Sequence, residues 1–129
     1  MSRATIVKEE ILEENMRLLA IYIETQNAVL VLLSEGEDRL GTLAASVPSA
    51  TEIQVQPVTS SILLGNRNTT LARVLAERLA FKTGKIGLVS IHLRTVSETE
   101  AHHTLIRLFE KVTKGSQVSK TPKEESLAS

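Results

Sequence analysis

The stretch "SILLGNRNTTLARVLAERLAFKTGK", residues 61–85, runs from an apolar segment through a small polar loop into a helical pattern. Its reading decides the fold. A strand, then Gly65-Asn66-Arg67-Asn68-Thr69-Thr70, then a helix could be a phosphate-binding unit or simply a turn that starts a helix. A phosphate loop needs several glycines, so that successive amides turn toward the anion, and usually a lysine for the terminal phosphates. This loop has one glycine and no following Gly-Lys-Ser/Thr. The later Thr83-Gly84-Lys85 falls at the wrong end of the helix, where the dipole is negative. Free amides at the helix start and Arg67 could still attract an anion, but a turn and a capped helix account for every residue.

The helix itself is predicted over 69–83. Leu71, Val74, Leu75 and Leu79 form an apolar stripe at helical spacing, with Ala72, Ala76 and Ala80 beside it. Asn68 or Thr69 can cap its start. Lys82 complements the dipole in the last turn, and Gly84 suits a left-handed closing residue.

Upstream, "MRLLAIYIET" (16–25) and "AVLVLLS" (28–34) are β-prone and apolar on both faces, and the short turn between them predicts an antiparallel hairpin. Strands are also predicted over 40–47 and 58–65, with a poorer or edge strand over 48–57 between Pro48 and Pro57. After the helix, "IGLVSIHL" (86–93) reads as a strand and 97–115 as a second helix. "SETE" at 97–100 matches the capping box, and Leu105, Leu108, Phe109 and Val112 form a buried stripe. The expected class is α+β: an antiparallel sheet of about five to six strands with two α-helices, in the order β-β-β-β-β-α-β-α. Residues 1–14 read as an acidic N-terminal arm, flexible or forming a helical turn. Residues 15–115 form one domain, and 116–129 a polar, disordered tail.

The 129 residues suffice for one compact domain. Aromatics are only 2% against 42% hydrophobic residues, so the core must be aliphatic. There is no cysteine, which excludes disulfides, thiolate metal sites and a cysteine nucleophile, and fits a reducing compartment. The N-terminus lacks a signal-peptide pattern, and no apolar run approaches a bilayer span. Residues 1–63 carry four basic and nine acidic side chains, net −5; residues 64–129 carry eleven and six, net +5. Such polarity can orient a protein partner. It does not suggest nucleic-acid binding, since stacking aromatics and a dominant basic excess are both missing.

Catalytic chemistry finds little support. Asp38, the only aspartate, sits in a predicted turn. His102 and His103 are helix neighbours about 100° apart and cannot share a metal face. His92 lies alone on a strand. No metal site, cofactor or catalytic residue is expected.

Residues 60–93, "SSILLGNRNTTLARVLAERLAFKTGKIGLVSIHL", resemble the corresponding segment of the proteasome assembly chaperone 4 family. The resemblance lies in Leu63-Leu64-Gly65, in Thr69-Thr70, in the helix Leu75-Ala76-Glu77-Arg78-Leu79-Ala80-Phe81-Lys82-Thr83, in Lys85, and in Val89-Ser90. The element order fits from about residue 15 to residue 113. "LVLLSEGEDRLGTL" (30–43) is also similar to the related proteasome assembly chaperone 3. The resemblance implies a non-enzymatic protein that forms a heterodimer with its sibling chaperone. The pair would bind proteasome α subunits during early α-ring assembly of the 20S core particle. It implies no cofactor, no nucleic acid and no membrane, and a place in the cytoplasm, extending to the nucleus.

The loop then starts a helix, and its polar side chains become candidates for partner contact: Arg67, Asn68 and Thr69, with Arg73 and Lys82 on the helix. Their other reading is a solvated helix face. A small α/β scaffold or trafficking adaptor acting through dimerisation is the alternative function. An enzyme would need serine, histidine and carboxylate gathered in one pocket. The two-sided apolar strands, with only two helices to cover them, also predict an exposed apolar sheet face that mediates pairing.

Overall fold

The computed structural model describes residues 3–13, 15–48 and 59–128, with side chains described as far as 115. Six strands and two helices follow one another: β1 (Thr5–Glu13), β2 (Met16–Glu24), β3 (Ala28–Glu35), β4 (Thr42–Ser46), β5 (Ser60–Leu64), α1 (Thr69–Thr83), β6 (Ile86–His92) and α2 (Glu98–Ala128). The strands form a single sheet in the order β1-β2-β3-β6-β4-β5. The α+β class and the element order match the sequence reading.

The ladders are antiparallel except one: β3 and β6 run parallel, with Val31 opposite Val89. The sheet is therefore mixed rather than wholly antiparallel. The reason lies in α1. A helical crossover returns the chain to the end from which it left, so β6 runs in the same direction as β5. It then slots between β3 and β4, antiparallel to β4.

Two segments differ from expectation. Thr5–Glu13, read as a flexible arm or a helical turn, is the edge strand β1, paired over its length with β2. Its inward positions alternate Val7, Glu9, Ile11 and Glu13. Lys111 of α2 lies 3.5 Å from Glu9, and Arg107 lies 2.5 Å from Glu13. Acids on the inner side of an edge strand hide the strand pattern, and such charges also discourage edge-to-edge aggregation. At the other end, α2 continues as helix through 116–128, where the sequence suggested a disordered tail. The backbone of a helix satisfies its own hydrogen bonds, so it can continue past its last buried turn. The weak strand predicted over 48–57 falls, beyond Pro48, outside the described residues.

Both helices pack on one face of the sheet. α1 crosses β6, β4 and β5, and α2 crosses β1 and β2. Between them and the sheet lies an aliphatic core. Leu18, Ala20 and Tyr22 of β2, Val29, Val31 and Leu33 of β3, and Val89 and Ile91 of β6 meet Leu71, Leu75 and Leu79 of α1 and Leu105, Leu108, Phe109 and Val112 of α2. Gly87 lets α1 sit close to β6: a Cβ there would lie 2.6 Å from the Ala76 carbonyl oxygen and 2.8 Å from the Ala80 amide nitrogen.

The helix termini follow their sequence signals in part. Ser97 and Glu100 form the reciprocal capping box: the Glu100 amide donates to Ser97 Oγ at 3.1 Å, and the Ser97 amide to Glu100 Oε1 at 3.0 Å. Gly84 closes α1 in the left-handed region, with φ 68°, its amide donating to the Ala80 carbonyl. At the start of α1, Asn68 holds the capping position with φ 56° but makes no side-chain cap bond, and Thr69 is already helical.

Glu24, at the end of β2, is buried, and Lys85 and Tyr22 are among the groups that hold it. Lys85 Nζ approaches its Oε2 at 2.7 Å, and the Tyr22 hydroxyl donates to its Oε1 at 3.0 Å. A buried carboxylate is tolerated when paired and hydrogen-bonded, and this pair fastens the turn after α1 to the β2–β3 hairpin.

Candidate functional site

The second face of the sheet carries no helix among the described residues. Strand alternation sends Leu19, Ile21 and Ile23 of β2, Leu30 and Leu32 of β3, Leu88 of β6 and Leu43 of β4 to that side. The register aligns them in rows. Ile23 faces Leu30, which faces Leu88, which faces Ala45; Ile21 faces Leu32 in the next row. These side chains are only half-buried. The centre of the face is aliphatic, whereas one flank is charged. A hollow of about 420 Å³ there is lined by Lys8, Glu10, Arg17 and Asp38 beside Leu19 and Ile21. An apolar centre with a polar rim is the anatomy of a protein–protein interface.

At the rim the face also holds unspent hydrogen-bonding capacity. Ser34 and His92 are register partners on this side of the sheet. Ser34 Oγ and His92 Nε2 are both buried without a hydrogen-bond partner.

The residues singled out around the loop do not form one cluster. Arg67 is exposed in the loop, and Asn68 and Thr69 are half-buried at the start of α1. Arg67 and Asn68 line a hollow with Arg94, Ser97 and Glu98 at the start of α2. Arg73 turns the other way, its Nε donating to Ser60 Oγ of β5 at 3.1 Å. Lys82 lies at the far end of α1 and pairs with Glu110 of α2 at 3.4 Å, as does Arg78 at 2.8 Å. Val74, placed by the sequence in the buried stripe, is instead 53% exposed on the outer side of α1. The helix meets the sheet through Leu71, Leu75 and Leu79 and the small residues Ala72, Ala76 and Ala80, and this pushes Val74 off the contact.

The strongly shifted carboxyl of Glu35 is structural. Glu35, at the end of β3, accepts from the amides of Arg94 at 2.7 Å, Thr95 at 2.8 Å and Val96 at 3.2 Å, and from the Thr95 hydroxyl. Burial pushes its pKa up, but the Thr95 hydroxyl and the three amides together outweigh burial and bring it down from 4.5 to about 2. Sequence reading missed this contact, because its partners lie about sixty residues away in the chain.

The sequence model of proteasome assembly chaperone 4 matches residues 17–93, more than half of the chain. The chain belongs to the proteasome assembly chaperone 4 family. The matched span runs from β2 through β6 and takes in the strands that form the centre of the open face. The fold has solved counterparts. A chain in the crystal structure of a novel chaperone complex for yeast 20S proteasome assembly superposes with a TM-score of 0.65 at 12% sequence identity, covering 89% of this chain and 96% of that one. At that identity the likeness concerns the fold alone. No curated protein matches the sequence.

Proposed function

We propose that this protein is a non-enzymatic chaperone of 20S proteasome assembly. It pairs through its open sheet face with a sibling chaperone of the same fold, and the pair holds proteasome α subunits while the α-ring forms. Membership of the proteasome assembly chaperone 4 family supports the general role. The observation that carries the pairing is the aliphatic sheet face, on which no helix lies among the described residues. An apolar patch of this kind on a small domain marks a partner surface. A second six-stranded sheet laid against it, about 10 Å away, would complete a sandwich. The reading places the protein where core particles assemble, in the cytoplasm and the nucleus, and calls for no cofactor.

Co-purification of the tagged full chain tests the role. Recovery of a sibling chaperone with free α subunits, and without mature core particle, is expected. Recovery of membrane-traffic components instead would favour an adaptor and overturn the reading.

A further inference from the structure

Strand β1 ends one side of the sheet, and no strand lies beside its outer edge among the described residues. It is long for an edge, nine residues, and pairs along its whole length with β2. Every second residue therefore turns its amide and carbonyl outward. Such a row is a template for a further strand. Ile6, Lys8, Glu10 and Leu12 are exposed on the open side of the sheet, Ile6 by 57% and Leu12 by 70%. On the helix side Val7 and Ile11 lie half-buried on either side of Glu9.

The strand is self-complementary about Glu9. Lys8 and Glu10 flank it, then Val7 and Ile11, then Ile6 and Leu12. Two copies that pair antiparallel by this edge are related by a two-fold axis perpendicular to the sheet, which keeps both helix layers on one side. Residues of the same face then stand opposite one another, so the axis passes through a residue. With Glu9 on the axis, Lys8 opposes Glu10 of the second copy, Val7 opposes Ile11, and Ile6 opposes Leu12. Moving the axis to Lys8 sets Lys8 against Lys8 and Ile6 against Glu10. Moving it to Glu10 sets Glu10 against Glu10 and Lys8 against Leu12. Like charges directly opposite destabilise a ladder, whereas opposite charges and apolar pairs favour it. The one like-charge contact of the Glu9 register is Glu9 with its own copy, and in each chain Lys111 stands 3.5 Å from that carboxylate. Lys8 makes no ion pair among the described residues, and Glu10 meets Arg17 through one oxygen. The charges of this edge thus refuse neighbouring registers and admit one.

We propose that β1 pairs edge to edge with β1 of a second copy of this chain, in the register centred on Glu9. Two six-stranded sheets then become one continuous sheet. Main-chain hydrogen bonds supply the attraction, and the side chains set the register. One strand edge buries less than the roughly 1,200–2,000 Å² of a stable complex, so the contact is weak and forms at high local concentration. It leaves the centre of the open face free, and it does not rest on the chaperone reading.

Sedimentation velocity of the full chain over a concentration series tests the contact. A Leu88→Glu background removes pairing through the open face. A monomer–dimer equilibrium is expected. Lys8→Glu alone and Glu10→Lys alone each turn both flanking pairs into like charges and should weaken dimerisation about ten-fold. An equimolar mixture of the two variants sets glutamate against lysine again and should restore it. The chain has no cysteine, so an introduced one reports the register. Glu9→Cys should form a disulfide-linked dimer under mild oxidation, because directly opposed residues lie within bridging distance. Glu9 is on the helix side, out of reach of a dimer formed through the open face. Thr5→Cys, on the same side but about 26 Å from its own copy in this register, should stay unlinked. A monomer at every concentration, charge variants that dimerise as well as their parent, or a mixture no tighter than either variant alone overturns the proposal. Linkage of Thr5→Cys as ready as that of Glu9→Cys overturns the register.

Discussion

The carboxylate of Glu35 and the amide of Arg94 meet at 2.7 Å across the end of the sheet. The contact joins the last residue of β3 to the turn that launches α2, and it anchors that helix over β1 and β2. The amides of Thr95 and Val96 donate to the same oxygen. Replacing Glu35 by alanine leaves three amides without their acceptor. The expected loss is roughly 1–3 kcal/mol in a urea melt, reduced where water can take the place of the carboxylate.

The same residue sets an acid limit. Its pKa is about 2 folded against 4.5 for the free side chain. A lowered folded value means that the stabilisation is complete above about 4.5 and drains away as pH falls toward 2. Melts at pH 6, pH 4 and pH 2.5 should show the wild type losing its advantage over Glu35→Gln across the lower part of this range. A constant difference at all three values would show that Glu35 does not act through its charge.

Two neighbouring helix positions should behave oppositely. Leu75 is 2% exposed and Leu79 fully buried, so either change to alanine should cost roughly 2–5 kcal/mol. Val74→Ala should change stability by less than about 0.5 kcal/mol, since the side chain stands in solvent. A large loss at Val74 would mean that α1 is rotated relative to its described packing.

Gly87 is the contact point of α1 and β6. Gly87→Val would drive a side chain into the Ala76 carbonyl and the Ala80 backbone. Overpacking against rigid backbone should cost about 1–3 kcal/mol or more. A variant that melts with the wild type would show that the helix can move away freely.

The basic residues near the loop yield one clean probe of client binding. Arg73→Glu would place a second acid beside Glu77, which accepts from Ser60. Lys82 is tied to Glu110. Arg67 is exposed in the loop, so Arg67→Glu should leave folding intact. If it faces an acidic patch on a proteasome α subunit, surface plasmon resonance will show slower association, with the difference shrinking as salt rises. Unchanged association at low and high salt would place the client contact elsewhere.

Much of this architecture was legible in the chain because local signals agreed with one another. The α1 boundaries follow from the Leu71–Leu79 stripe and Gly84. The start of α2 follows from Ser97 and Glu100. The β2–β3 hairpin follows from two aliphatic runs around a short turn. What local patterns could not show was set by pairing across the chain. Glu9 and Glu13 look like solvent-exposed residues until Lys111 and Arg107 stand opposite them. The parallel β3–β6 ladder depends on where the crossover returns. The two-sided apolar strands signalled an open face, but its extent among the described residues emerged only from the register of four strands. Val74 shows the limit of periodicity, which cannot tell the middle of a buried stripe from its edge.

The central claim is that the open sheet face is where the sibling chaperone binds. Leu88 lies at its centre, between Leu30 and Ala45, and Leu88→Glu sets a charge there without touching the helix-side core. Native mass spectrometry of each form mixed with the sibling chaperone, after circular dichroism has shown equal folding, tests the claim directly. The account predicts a one-to-one heterodimer for the wild type and separate chains for Leu88→Glu. Heterodimer formed equally well by both would contradict it.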